Sequence, residues 1–443
     1  MQWPTCWNVP LEQSRFLRYN PPMRRISLDR HRAVLSVALL LTLAILVFPL
    51  VWPRVSATLF DWIGEEEPLE QVKGLGALLE IWLFGPRLDL APNVPVNHVP
   101  GNPFGVNTFL QLEADPANVD RSLAMVKAAG FAWIRQQFPW EDIEIHGKGD
   151  YQDRRTLPFK SAWLKYDRIV DLVEKHGLNM VVRLDAPPQW SRSNPAEEGT
   201  FGPPDNLADY ADFVEAVVRR YRGRIHTLQI WNEPNIYPEW GNKRPDPERY
   251  VEMLQLATTR ARAVDPNIVI ISAPLAPTLD DDARSLNDLK YLERMYLAGA
   301  RGTFDILGAI AYGLGTAPTD HRVAWNRTNF ARPELLRDLM VRYGDADKPV
   351  WIMEMGWNAV PEGMPAPFGR VTEAQQARYS VLAFERIRNE WPWAGVGFLW
   401  HFRLPDDSRR DQPIYYFRLV DPDWTPRPVY SAIQAVATRP QTP

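Results

Sequence analysis

The sequence predicts a closed (β/α)8 barrel, a TIM barrel in architecture, preceded by an N-terminal transmembrane helix. Three observations carry the barrel. Between Phe104 and Ala437 short apolar runs alternate with helical patterns, eight of each. Glycine stops helices just short of the next run, as at Gly130 and Gly177. Two of the runs end in a glutamate followed by a break, Glu233 before Pro234 and Glu354 before Met355-Gly356. The C-terminal ends of barrel strands are where such folds keep their chemistry.

In chain order, Phe104–Leu110 reads as the first strand and Asp120–Ala129 as the helix returning from it. Phe131–Phe138 and Trp163–His176 form the second unit. The third strand, Leu178–Asp185, shows the boundary logic. Val181-Val182-Arg183-Leu184 is β-branched and apolar, and Pro187-Pro188 forbids its continuation. Leu207–Tyr221 follows as helix. Ile225–Asn232 is the fourth strand, joined through a long loop to the helix Pro247–Val264. The fifth unit pairs Ile268–Ala273 with Leu286–Ala298, and the sixth pairs Phe304–Tyr312 with Pro333–Tyr343. Val350–Glu354 and Glu373–Asn389 make the seventh; Val396–Trp400 and Tyr430–Ala437 close the set.

Ahead of the barrel, Ala33–Trp52 holds no charged side chain and matches the roughly 20 residues of one membrane span. Arg15, Arg18, Arg24, Arg25, Arg30 and Arg32 precede it, whereas acidic residues outnumber basic ones from there to Leu90. This asymmetry puts residues 1–32 in the cytoplasm, makes 33–52 a signal anchor, and leaves residues 104–443, the catalytic domain, outside the membrane. Val55-Ser56-Ala57 resembles a cleavage site, so secretion after loss of the leader is the alternative. Residues 53–103 read as a linker. Within it Leu75–Phe84 has the pattern of a short amphipathic helix for the membrane or the domain, and Pro92, Pro95, Pro100 and Pro103 stiffen the approach to the first strand.

The formal net charge of -4 offers nucleic acid no basic face. The single cysteine, Cys6, excludes an internal disulfide and a cysteine-built metal site. The histidines lack ligand spacing, so neither a metal nor another cofactor is expected. There is no phosphate loop, dinucleotide fingerprint or nucleophile elbow. Nothing in the sequence specifies an oligomeric state.

Hydrolysis of a glycosidic bond needs one carboxylic acid to protonate the leaving oxygen and one carboxylate to face the sugar, in environments that differ. Glu233 sits in Trp231-Asn232-Glu233-Pro234-Asn235. Glu354 lies among Trp351, Met353, Met355 and Trp357, where burial favours the neutral form unless donors or a cation offset it. Arg135, near the end of strand two, and Tyr312, at the end of strand six, are candidates to do so. Of Trp190, Trp240 and Trp357, one or two are expected to line the cleft as faces for sugar.

The motif around Glu233, with Glu354 ending a later strand, resembles the clan of (β/α)8 retaining glycoside hydrolases. Phe131-Ala132-Trp133-Ile134-Arg135, Tyr166-Asp167-Arg168-Ile169-Val170 and Ala186-Pro187-Pro188-Gln189-Trp190 are similar to glycoside hydrolase family 39 and its family 5 relatives, and the match spans the whole presumed barrel. The resemblance implies that Glu233 is general acid/base, Glu354 nucleophile and Asn232 the partner of the sugar 2-hydroxyl. It also implies that Arg135 and Tyr312 steady the nucleophile and that Trp400 floors the sugar subsite; Trp190 stands beside them as a substrate-binding candidate. One position departs: relatives often carry histidine two residues before the strand-six tyrosine, and here stands Ile310, which leaves the substrate more open. The expected function is retaining hydrolysis of an oligo- or polysaccharide. Two alternatives stand beside it, a non-catalytic carbohydrate-binding protein on the same barrel and a transglycosylase using the same site.

Overall fold

The computed structural model describes residues 51–439, of which those from Ser56 onward belong to one compact unit. Residues 1–32 and all but the last two residues of Ala33–Trp52 lie outside the described part. Among the described residues no helix is long and apolar enough to cross a membrane.

A helix, α1 (Pro68–Phe84), precedes the barrel strands β1 (Phe104–Thr108), β2 (Trp133–Pro139), β3 (Asn179–Asp185), β4 (Thr227–Ile230), β5 (Val269–Ser272), β6 (Leu307–Tyr312), β7 (Val350–Gly356) and β8 (Ala394–Leu399). All pairings are parallel, each strand beside its neighbour in the chain, and β8 returns to β1. Between β5 and β6 the ring closes through two isolated bridges, Ile271–Ile306 and Leu275–Ala309. Outside the ring run α2 (Pro116–Ala128), α3 (Leu164–Lys175), α4 (Leu207–Arg220), α5 (Pro247–Val264), α6 (Asp288–Leu297), α7 (Pro333–Arg342), α8 (Glu373–Glu390) and α9 (Pro428–Ala437). All eight units expected from the sequence are present. Side chains of Asp115, Asn206, Asp246 and Asn287 accept the first free N–H groups of α2, α4, α5 and α6, and Thr372 with Gln375 forms a reciprocal capping box on α8.

Two apolar layers hold the barrel. The larger joins strands to helices; the smaller fills the bore with Val181, Ile271, Ile306, Trp351, Met353, Val396 and Phe398. Toward the C-terminal ends lie the buried polar residues Asn107, Arg135 and Gln229, on β1, β2 and β4. The bore is therefore dry at its base and polar at its mouth.

In β7 the register slips. Ala309 pairs with Ile352 but the next residue, Ile310, pairs with Glu354; on the other side Gly397 pairs with Ile352 and Leu399 with Met355. One extra residue is accommodated at Met353-Glu354. Such a bulge re-aims a side chain, so Met353 fills the bore while its neighbour Glu354 also turns inward, to the mouth.

The segment before β1 differs from the free linker expected. A helical stretch at residues 56–63, without a clear sequence signal, leads to α1, which starts at Pro68 rather than Leu75. The Pro-rich chain beyond is then strapped to the barrel wall. The Asp89 N–H donates to Asp338 (2.9 Å), Arg337 donates to the Leu90 carbonyl (3.1 Å), the Asn97 N–H to the Asp347 carbonyl (3.3 Å), and the Trp351 indole to the His98 carbonyl (2.9 Å).

Candidate active site

Strand β4 stops at Ile230, two residues short of expectation, because the backbone turns out of the sheet. Trp231 (φ 72°) and Glu233 (φ 39°) both take the left-handed conformation. Each non-glycine residue there costs about 1–3 kcal/mol, and such outliers persist only where the surroundings fix them. Here they do. The Trp231 N–H donates to Leu184 (3.0 Å), its indole to the Glu239 carbonyl (2.9 Å), and the Glu233 N–H to Pro274 (3.0 Å). Asn235 adds a clamp, bonding the backbone of Ala276 and Leu286.

Arg135 is the hub. Its Nε donates to Gln229 (2.6 Å), one Nη to both Asn107 and Glu354 (2.8 Å each), and the other to Asn232 Oδ1 (2.7 Å). Asn107 is itself held by the Met353 carbonyl (3.0 Å) and Gln229 by the Trp231 carbonyl (2.6 Å). A buried guanidinium is tolerable only when paired and hydrogen-bonded in this way. The second oxygen of Glu354 accepts from Tyr312 (2.8 Å). Donors on both oxygens are what an anionic carboxylate accepts.

Asn232 links the two glutamates. With its Oδ1 on Arg135, its amide nitrogen points to Glu233 Oε2 (3.2 Å) and Glu239 Oε2 (3.4 Å). Burial, then the charges of Glu354 and Glu239, push the Glu233 carboxyl well above the usual range, against Arg183 and Arg135. One carboxyl is thus pushed toward its neutral form while the other has donors on both oxygens, so the two stand in different environments.

Of the residues named from sequence, Glu233, Glu354, Asn232, Arg135 and Tyr312 meet in this cluster. Trp400 follows β8 and packs edge-on against Phe109 (centroids 5.3 Å), and its buried indole N–H finds no acceptor among the described residues. Trp190, in the loop after β3, packs edge-on against Trp140 and donates to the Glu144 carbonyl, so its described contacts tie that loop to the segment after β2. Trp240 and Trp357 are wholly buried and serve packing. Ile310, buried, lies opposite Glu354 in the β6–β7 register and gives it an apolar neighbour.

Sequence reasoning missed Asn107, Gln229, Arg183, Asp185 and Glu239. The first four are polar residues within or ending apolar strands, which was a readable signal. Glu239 had none, since it lies in the loop after β4. It sits 3.6 Å from Arg183, which also pairs with Asp185, and burial raises its carboxyl to about 7 although Arg183 pulls it down. Once ionised, above about 7, Glu239 adds a charge that pushes the Glu233 carboxyl up, behind burial and Glu354. In Glu239→Gln that charge is gone, the ionised form of Glu233 becomes easier to reach, and its pKa falls. The alkaline limb of the kcat/KM–pH profile should move to lower pH, with kcat near its former value at the acid side; an unmoved limb would refute the coupling.

No protein-family model matches the chain, and no curated protein matches it in sequence. Among solved structures, a family 39 glycoside hydrolase from the gut symbiont Bacteroides cellulosilyticus WH2 is similar, with a TM-score of 0.57 and 21% identity over 80% of this chain. This chain covers 65% of that protein's length. A family 39 β-xylosidase from Caulobacter crescentus gives a TM-score of 0.54 at 15% identity, covering 77% of this chain and 73% of its own. An exo-β-1,4-mannosidase from Opitutaceae bacterium strain TAV5 gives 0.52 at 17%, covering 80% and 62%. At these identities the likeness is one of fold, the same parallel eight-stranded barrel.

Proposed function

We propose that this protein is a retaining glycoside hydrolase that cleaves β-linked sugars by double displacement. One observation carries the reading: two glutamates at the barrel mouth are joined through Asn232 and Arg135, one with donors on both carboxylate oxygens and the other with its carboxyl pushed well above the usual range. Glu354, with donors on both oxygens, attacks the anomeric carbon. Glu233 gives its proton to the leaving oxygen, then takes one from the incoming water. In this reading the Asn232 amide takes a sugar hydroxyl beside the anomeric centre and Trp400 faces the sugar ring. A cavity of about 450 Å³ opens among the segments that follow β1, β2 and β3, lined in part by Gln111, Gln137, Ala186 and Phe201, and is large enough for sugar residues.

The β-linkage draws on the neighbours described as a β-xylosidase and an exo-β-1,4-mannosidase. The intact pair of glutamates weighs against a purely binding role. The run Ala33–Trp52 and the basic residues before it support a membrane anchor with the barrel on the outer side.

The test is stereochemical. Across a panel of aryl β-glycosides, proton NMR of the first product formed should show the β-anomer, and added methanol should yield the methyl β-glycoside. Initial release of the α-anomer would mean inversion and defeat the mechanism. Transfer to sugar acceptors in preference to water would identify a transglycosylase.

A further inference from the structure

Helix α1 has three faces. Gln71 and Gly74 are buried and Leu78 and Ile81 half-buried against the rest of the unit. Gln71 donates to the carbonyls of Ser56 and Glu65 (3.0 and 2.8 Å), and a side chain at position 74 would strike Ile63 and Arg322. A second edge carries Glu70, Lys73 and Glu80. The third is a continuous apolar stripe, Leu69, Val72, Leu75, Leu79, Trp82 and Leu83, at the three- and four-residue spacing that makes one helix face. All six are exposed, Trp82 at 79%, and Phe84 ends the helix at 83%. Two further tryptophans, Trp62 and Trp325, are exposed on the same unit, and Trp325 and Phe84 line one cleft. Soluble surfaces scatter single apolar residues; a stripe of this length marks an interaction site.

The sequence says what covers it. The uncharged run ends at Trp52 and α1 begins at Pro68, 16 residues on, a path that cannot exceed about 55 Å even when fully extended. Seventeen residues with three charges are too short and too polar to span a bilayer but suit a helix lying in its surface, with tryptophan at the headgroup level. The exposed acids around it, Asp61, Glu67, Glu70 and Glu80, favour a neutral lipid surface over an anionic one.

We propose that α1 lies in the headgroup layer of the membrane with the Leu69–Leu83 stripe facing the lipid, which rests on the anchor reading above. The full chain, with Cys6→Ser, is reconstituted into phosphatidylcholine vesicles bearing one of Leu79→Cys, Trp82→Cys, Glu80→Cys or Leu297→Cys, labelled with an environment-sensitive fluorophore. Labels at 79 and 82 should shift to the blue and be quenched by lipids carrying a nitroxide near the headgroup. Labels at 80, on the charged edge, and at 297, exposed on α6, should stay water-like and unquenched. An alkaline carbonate wash separates the two readings. Protein retained after the wash with water-like labels at 79 and 82 overturns the proposal alone. Blue-shifted labels that lipid nitroxides do not quench overturn it in favour of a protein partner. Release of the chain by the wash overturns the anchor and the proposal together.

Discussion

Glu354→Ala should abolish turnover of every glycoside tested, by on the order of 10⁴- to 10⁶-fold in kcat, because no covalent intermediate can form. The loss should not depend on the leaving group. The groups left in the site make rescue specific. Arg135 keeps its bonds to Asn107, Gln229 and Asn232, so a guanidinium still points into the void once filled by the carboxylate. Azide or formate should fill that void and attack the sugar directly. The product is then of inverted, α configuration, read by NMR of the glycosyl azide. A β-product would mean that the roles of the two glutamates are exchanged, and unimpaired turnover would place the chemistry elsewhere.

Glu233→Ala should behave differently, and the contrast is diagnostic. The proton it supplies matters most for poor leaving groups, so natural linkages and alkyl glycosides should slow by about 10²- to 10⁴-fold or more. Dinitrophenyl glycosides need little assistance and should still glycosylate Glu354, giving a burst followed by slow release, since no base activates water. Azide needs no base. It should accelerate the second step and give a β-glycosyl azide, the retained configuration. Equal losses on activated and unactivated substrates would exclude Glu233 as the acid.

Much of this was legible in the sequence because the barrel repeats one physical pattern. Short apolar runs closed by proline or glycine and alternating with helical patterns read as buried strands, and a charge at the end of one is costly enough to need a reason. That is why Glu233 and Glu354 stood out, and why Arg135 and Tyr312 could be named as partners. Asn107 and Gln229 were hidden because one polar residue in an apolar strand looks like a tolerated exception until its partner is seen across the bore. Glu239 was hidden because a loop has no period. The bulge at Met353-Glu354 was illegible for a different reason: it exists only in the pairing of β7 with two neighbours. The early start of α1 was masked by Gly74, a poor helix former by propensity that is needed for close approach to Ile63 and Arg322.

The strap between α1 and β1 has a mechanical consequence. Residues 53–103, were they free chain, would let the barrel roam by roughly 40 Å about its attachment. Bonded to α7 and β7, with α1 in turn seated on Ile63 and Arg322, they leave no slack after Ser56. The mouth of the barrel and α1 then move as one body. Wherever α1 comes to rest, the mouth of the barrel stands at one set distance from it, as a lamp on a rigid bracket rather than on a cord.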